Sequence, residues 1–179
     1  MEAVILIFFF LIYIVLRVLF AEKSTEERDA ARFAEGMELL RKKDWNAAQL
    51  YFGKVIQSHN KSAVAWTALG ATHFHQGDML MAQICLDKAI VYDNIASAFL
   101  YRGKVAFANQ HYPLALIELN KAIWYNRKSA EAYRLKGLTL LQLSKPDEAI
   151  TAFKDAVKRG DEISNAQLQQ MRIPTEKGK

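Results

Sequence analysis

The chain has 179 residues, of which 51% are hydrophobic and 24% charged, with a formal net charge of +5. This composition excludes an intrinsically disordered chain, and a single cysteine, Cys85, excludes an internal disulfide framework. The basic residues form no long run, so we expect no nucleic-acid partner.

The first apolar segment, residues 3–21, predicts a membrane span. It contains one charged side chain, Arg17. As a helix it would extend roughly 28 Å, close to the hydrocarbon thickness of a bilayer. A cleaved signal peptide is the alternative, but no basic residue precedes the apolar run. We therefore assign residues 1–23 to a transmembrane anchor.

Basic residues flank the C-terminal side of this segment, which predicts a cytoplasmic C-terminal domain. The expected localisation is that of a single-pass membrane protein with cytoplasmic repeats. A bacterial inner membrane is favoured over other membranes because the whole chain is compact.

After residue 23, the sequence repeats with a period of 33 or 34 residues. Glycine recurs at Gly36, Gly70, Gly103 and Gly137. At fixed distances after these glycines stand the alanines Ala48, Ala82, Ala115 and Ala149 and the large residues Phe52, Leu86, Leu119 and Phe153. A small residue recurring beside a large one indicates two helices in close contact, so each unit is predicted to be a helical hairpin.

Polar, Gly and Pro residues interrupt the pattern midway through each unit and place the turns. The predicted helix pairs are 25–42 with 45–58, 62–76 with 79–92, 96–109 with 112–125, and 129–143 with 146–159. A capping helix is expected at 161–171, and residues 174–179 are expected to be disordered.

The second unit, with Trp66, Leu69-Gly70, Ala82 and Ala89, resembles the tetratricopeptide repeat family. The resemblance covers about residues 29–163 and implies an all-α, right-handed solenoid of about four helical hairpins with a C-terminal capping helix. The implied division of residues 24–163 is into repeats at about 29–62, 63–95, 96–129 and 130–163, followed by the capping helix and tail at 164–179.

The sequence contains no pattern typical of catalysis. It has no Gly-rich phosphate loop, no Cys pair, no His-Glu-x-x-His helix and no Gly-x-Ser-x-Gly elbow. His73 and His75 are two residues apart and would point to different faces of a helix, unlike a helical metal-ligand pair. We therefore expect no enzyme activity, no metal and no cofactor.

The resemblance implies that the first helix of each pair lines a concave groove that binds a protein or peptide partner. The expected groove residues are Phe33, Met37, Val64, Thr67, Ala71, Phe74, Leu100, Lys104, Phe107, Arg134, Leu138 and Leu141. Phe74, Phe107 and Leu141 are equally compatible with packing between helices. The groove would suit an amphipathic helix or an extended peptide with an acidic group near Lys104 and Arg134.

Tetratricopeptide co-chaperones grip the acidic C-terminus of heat-shock proteins with a carboxylate clamp of Lys, Asn and Arg side chains. The equivalent positions here are Phe33, Met37, Ala68, Leu100 and Lys104. A single lysine does not make a clamp, so we expect no tight binding to such tails.

Two functions are compatible with these features. The first is a membrane-anchored adaptor or scaffold whose repeats recruit a protein partner to the membrane surface. The alternative is a structural subunit of an integral membrane complex, held by residues 3–21. Replacing that segment with an unrelated span separates the two, because only the adaptor would keep its partners.

Overall fold

The computed structural model describes Ile7, residues 9–13 and residues 25–172 of the chain. Among these residues, no helix is long and apolar enough to cross a membrane. The longest helices of residues 25–172 have 14 residues, whereas a span needs about 20. This finding contradicts the predicted localisation, which was that of a single-pass membrane protein. Most of the segment 3–21 lies outside the described residues.

Residues 25–172 fold into helices joined by short turns, and the described part of the chain contains no strand. The helices are α1 (Thr25–Arg32), α2 (Ala34–Arg41), α3 (Trp45–Ser58), α4 (Ala63–His75), α5 (Met79–Tyr92), α6 (Ala96–Ala108), α7 (Tyr112–Tyr125), α8 (Ala130–Gln142), α9 (Pro146–Val157) and α10 (Glu162–Arg172). This all-helical, repeat-like solenoid confirms the fold class expected for these residues.

The predicted first helix, 25–42, is divided at Phe33. The backbone of Phe33 has φ −101° and ψ 32°, outside the helical range. Helical hydrogen bonds still cross this point, from Phe33 N–H to the Asp29 carbonyl at 2.9 Å and from Met37 N–H to the Phe33 carbonyl at 3.0 Å. The Phe33 ring is buried and packs edge-on against His59, 5.6 Å away between ring centroids.

The turns between the two helices of each pair share one backbone geometry. A residue with positive φ ends each turn at Lys43, Gly77, Gln110 and Ser144. Each stands seven residues after the repeat glycine, so the left-handed conformation is a property of the repeat and only one of the four positions is filled by glycine. The second helix then begins with a side-chain cap at Asp44 or Asp78, or with a proline in its first turn in α7 and α9.

The helices form an inner and an outer layer. Contacts are densest within the pairs α4–α5, α6–α7 and α8–α9. The first helices of successive pairs also contact one another, α2 with α4, α4 with α6 and α6 with α8, and no comparable contact joins the second helices of residues 25–172. The first helices therefore line the concave side, and the second helices α3, α5, α7 and α9 lie outside.

The repeat glycines allow the two helices of a pair to approach closely. A Cβ placed on Gly103 would lie 2.8 Å from Leu119 Cγ, and one on Gly70 would lie 2.8 Å from Leu86 Cγ. Leu119 and Leu86 are both fully buried, so neither can move aside. The small and large residues of the sequence pattern are the two sides of this contact.

The last helix, α10, packs against α9. Leu168 on α10 joins a buried cluster with Leu140, Ala149, Ala152 and Phe153. The Asp161 carboxylate accepts a hydrogen bond from the Ser164 backbone N–H at 2.9 Å, at the start of the helix. The helix thereby covers apolar side chains that the last hairpin would otherwise expose.

We expect glycine-to-alanine substitutions in one chain to have opposite effects. Gly103→Ala forces a methyl group against Leu119 and lowers the free energy of unfolding by about 1 kcal/mol or more, because overpacking exceeds the gain in helix propensity. The methyl group of Gly53→Ala on α3 meets no atom within 4 Å. This substitution raises the free energy of unfolding by about 0.5 to 1 kcal/mol. Urea denaturation of both variants measures the two changes. Equal effects of the same sign would contradict the close approach.

Candidate peptide-binding groove

A cavity of about 320 Å³ opens on the concave side, between the first helices α1, α2, α4 and α6. Its lining residues are Glu26, Ala30, Met37, Leu40, Arg41, Val64, Thr67, Ala68, Ala71, Ser97 and Tyr101. Most of these side chains are apolar, and one acidic and one basic residue stand among them. Such a lining suits an apolar side chain of a bound peptide. We refer to this feature as the inner cavity.

Four of the groove residues expected from the sequence line the inner cavity: Met37, Val64, Thr67 and Ala71. Met37 is the most exposed of the four, and the other three are buried in the floor and walls. They come from α2 and α4, so the structure brings together the expected positions of the first two repeats.

The other apolar positions pack between helices. Phe33 is buried in the core of the first repeats. Leu100 packs beside Phe99, Ala122 and Ala132. Leu138 and Leu141 pack against the cluster around Phe153. Phe74 packs against the cluster of Leu86 and Val105, and Phe107 packs against the Tyr112 ring. The packing alternative foreseen for Phe74, Phe107 and Leu141 describes their observed contacts.

The two basic groove residues already have acidic partners. Lys104 Nζ lies 2.8 Å from Glu131 Oε1 and 4.2 Å from the centre of the Tyr101 ring. Arg134 lies 3.4 Å from Asp161 Oδ1 and 3.9 Å from Glu131 Oε1. The charge that was expected to attract an acidic group of a partner is therefore compensated within the chain.

The sequence analysis did not predict several residues of the inner cavity, although their positions in the repeat could have identified them. Ala30, Val64 and Ser97 stand at one repeat position, six residues before each glycine, and only Val64 was expected. Leu40 occupies the position of Phe74 in the next repeat. Tyr101 follows the position of Leu100, and its larger side chain reaches the cavity where that of Leu100 packs inward.

Thr67 has a buried hydroxyl for which the described residues provide no hydrogen-bond partner. Other buried threonines differ, because the Thr72 hydroxyl donates to the Ala68 carbonyl at 2.8 Å and the Thr139 hydroxyl donates to the Leu135 carbonyl at 2.7 Å. A buried polar group without a partner destabilises a fold by about 1 to 3 kcal/mol. The wall of the inner cavity therefore contains a locally unfavourable group.

The Tyr101 ring, which lines the inner cavity, belongs to a cluster of aromatic rings. His75 stacks on Trp45, with ring centroids 4.3 Å apart, and packs edge-on against Tyr101. Burial lowers the pKa of His75 from its ordinary value, and Lys104 and Lys43 lower it further, while Glu131 opposes them. Burial, aided by Glu131, raises the pKa of Tyr101 to about 12. Both side chains are therefore neutral near pH 7.

The described residues contain no group of three or more His, Cys, Asp or Glu side chains placed to hold a metal ion. His73 instead is buried, with its Nδ1 3.7 Å from an Asp78 carboxylate oxygen. Burial raises the pKa of the Cys85 thiol to about 11, which keeps it protonated and poorly nucleophilic at neutral pH.

Comparison with known proteins supports the tetratricopeptide repeat family. Residues 94–162 match the model of the tetratricopeptide repeat. A search of curated proteins found no match.

Solved structures of similar fold include a crystal structure of MamA, with 24% identity and a TM-score of 0.65 over 75% of this chain and 81% of that one. PilF of Pseudomonas aeruginosa has 20% identity and a TM-score of 0.70 over 83% and 71% of the two chains. The first repeat domain of Spaghetti (RPAP3), bound to the HSP90 peptide SRMEEVD, has 21% identity and a TM-score of 0.58 over 62% and 92%. At these identities the likeness establishes the fold alone.

We expect Thr67→Val to raise the free energy of unfolding by about 1 kcal/mol, because valine has nearly the same shape and removes the unpaired hydroxyl. Thr72→Val is the matched control, since it removes a hydroxyl that is hydrogen-bonded on the same helix and is expected to lower stability. Urea denaturation of both variants measures the difference. A lower stability of Thr67→Val would show that the Thr67 hydroxyl has a hydrogen-bond partner in the unchanged chain.

The lowered pKa of His75 predicts a pH dependence of stability. As pH falls below about 6.5, the unfolded chain takes up the proton first, so the stability contributed by neutral His75 is full above that pH and is lost below it. We expect the melting temperature of His75→Gln to fall less than that of the unchanged chain between about pH 7 and about pH 5. Thermal denaturation followed by circular dichroism measures both slopes, and equal slopes would contradict the prediction.

Proposed function

We propose that the chain is an adaptor or scaffold that holds a segment of a partner protein on its concave side, with an apolar side chain of that segment in the inner cavity. Tetratricopeptide repeat proteins generally mediate protein–protein interactions, and the family match supports this coarse function. The observation that carries the specific proposal is the inner cavity itself, because it is apolar, open and built by helices of successive repeats.

The charges around the inner cavity define the partner further. Arg41 is held by Glu38, with its Nε donating to Glu38 Oε2 at 2.7 Å, and Lys104 is held by Glu131. An acidic tail would have to displace these carboxylates to be bound. The favoured partner segment is therefore neutral and apolar, unlike the acidic peptide suggested by the sequence.

The groove also differs from a carboxylate clamp in its geometry. Phe33 is buried in the core and cannot face a peptide. Substitution of Phe33 by a charged residue would therefore test folding and not binding. A variant that probes the groove has to act at the cavity wall.

Ala71→Met tests the proposal by filling the inner cavity. Methionine occupies the same repeat position in α2, at Met37, and both residues line the inner cavity, so we expect the longer side chain at residue 71 to extend into it. A library of random peptides displayed on phage is selected against the unchanged chain, and the affinity of each enriched peptide is measured by fluorescence anisotropy. We expect enriched peptides to be apolar and neutral and to bind Ala71→Met at least about tenfold more weakly.

Gln169→Met, at an exposed position of α10, is the matched control and is expected to leave the affinity unchanged. Melting temperatures of both variants establish that they are folded. Selection of no peptide, or peptides that bind Ala71→Met as well as the unchanged chain, would contradict a binding site at the inner cavity.

A further inference from the structure

The outer helices α5 and α7 expose large apolar side chains in a regular arrangement. They include Met81, Ile84 and Val91 on α5 and Leu114, Ile117 and Trp124 on α7. Val91 is 79% and Trp124 71% exposed. We call these six residues the outer apolar face.

The outer apolar face follows one stripe on each helix. In both helices the apolar residues occur at spacings of three and seven, with Lys88 or Lys121 inside the longer interval. This spacing puts them on one side of a helix, as in surfaces that pack against another helix. Scattered single apolar side chains are normal on a protein surface, whereas large exposed ones aligned on one side of two successive outer helices are typical of an interaction site.

The fold itself does not require apolar residues at these positions. Thirty-four residues after Leu114, Ile117 and Trp124, the last hairpin has Glu148 and Thr151 on α9 and Lys158 directly after that helix. These three residues are exposed in the same repeat fold. The repeat fold therefore accepts polar residues at these positions, although Leu50 on α3, at the position of Ile84 and Ile117, is also apolar and exposed.

The charges beside the outer apolar face are mainly basic. Lys54, Lys88 and Lys121 stand at one repeat position on α3, α5 and α7, and all three are exposed. Lys54 makes no ion pair with any described residue, and Lys88 Nζ lies 4.6 Å from the Trp66 ring. Lys121 Nζ approaches the buried Glu118 at 3.2 Å. Arg127 extends the basic border beside the Trp124 ring, 5.6 Å away.

We propose that the outer apolar face docks an acidic amphipathic helix of a partner protein. The apolar side of that helix would cover Ile84, Ile117 and Trp124, and its carboxylates would lie near Lys88 and Arg127. The stripe from Leu114 to Trp124 extends about 15 Å along α7, which corresponds to about three turns of the docked helix. This surface is separate from the inner cavity, so one chain could hold two partner segments.

A second copy of this chain fits the face less well. In a symmetric dimer the same patch meets itself. The lysines on α3, α5 and α7 would then face the same lysines of the other copy, and like charges brought together in an interface are unfavourable. An acidic partner removes this repulsion.

The test uses a synthetic helical peptide with leucines at the spacing of the stripe and glutamates on its flanks, together with the full chain. A triple variant, Leu114→Glu with Ile117→Thr and Trp124→Lys, gives α7 the residues that the last hairpin has at the same repeat positions, so the fold should accept them. We expect the triple variant to bind at least about tenfold more weakly by fluorescence anisotropy. A peptide with lysine in place of glutamate should bind the unchanged chain more weakly by a similar factor.

Lys88→Glu is a second variant that keeps the apolar residues, and α9 carries an acidic residue, Asp155, at the same position. It should weaken binding of the acidic peptide. Ala71→Met, in the inner cavity, should leave that binding unchanged. Melting curves of all variants establish that they are folded.

Three outcomes would overturn the proposal. One is failure of the acidic peptide to bind, or equal binding to the folded triple variant. The second is a dimer of the unchanged chain, seen by light scattering, that the triple variant abolishes, because the occupant would then be a second copy. The third is binding to vesicles of phosphatidylserine and phosphatidylcholine that depends on the same residues while the peptide does not bind.

Discussion

The close contact between the two helices of each pair is the constraint from which the rest of the structure follows. Gly70 and Gly103 bring α4 against α5 and α6 against α7, and a buried leucine fills the space opposite each glycine. Because these contacts recur every 33 or 34 residues, each pair packs on the next in a similar orientation. The first helices meet one another on the inside, and the second helices are left facing outward.

This layering produces two surfaces with different chemistry. The inner cavity is concave, mostly apolar and bordered by charges that are already paired, such as Lys104 with Glu131. The outer apolar face is made by stripes of large side chains on α5 and α7, with basic residues beside them. The repeat determines where both surfaces lie. The side chains that differ between repeats, such as Trp124 and Lys158 at one position, determine what each surface can bind.

Much of the fold could be predicted because the glycine and alanine spacing reports helix contacts directly. The division at Phe33 could not, since it depends on how that ring packs against His59, from the loop after α3. The pairing of Arg134 with Asp161 was equally hidden, because Arg134 lies on α8 and Asp161 lies in the turn before α10, and the two meet only in the folded chain. Hydropathy alone gave the wrong localisation from residues 3–21, since none of the described helices could span a bilayer.

The central claim is that a peptide partner is held in the inner cavity by an apolar side chain. Methyl-group NMR of the chain with a selected peptide tests it most directly, because labelled methyl groups are present on both surfaces. The account predicts that the methyl signals of Met37, Val64 and Ala71 shift on titration, while those of Ile84, Leu114 and Ile117 stay in place. Shifts confined to the outer group would contradict the account.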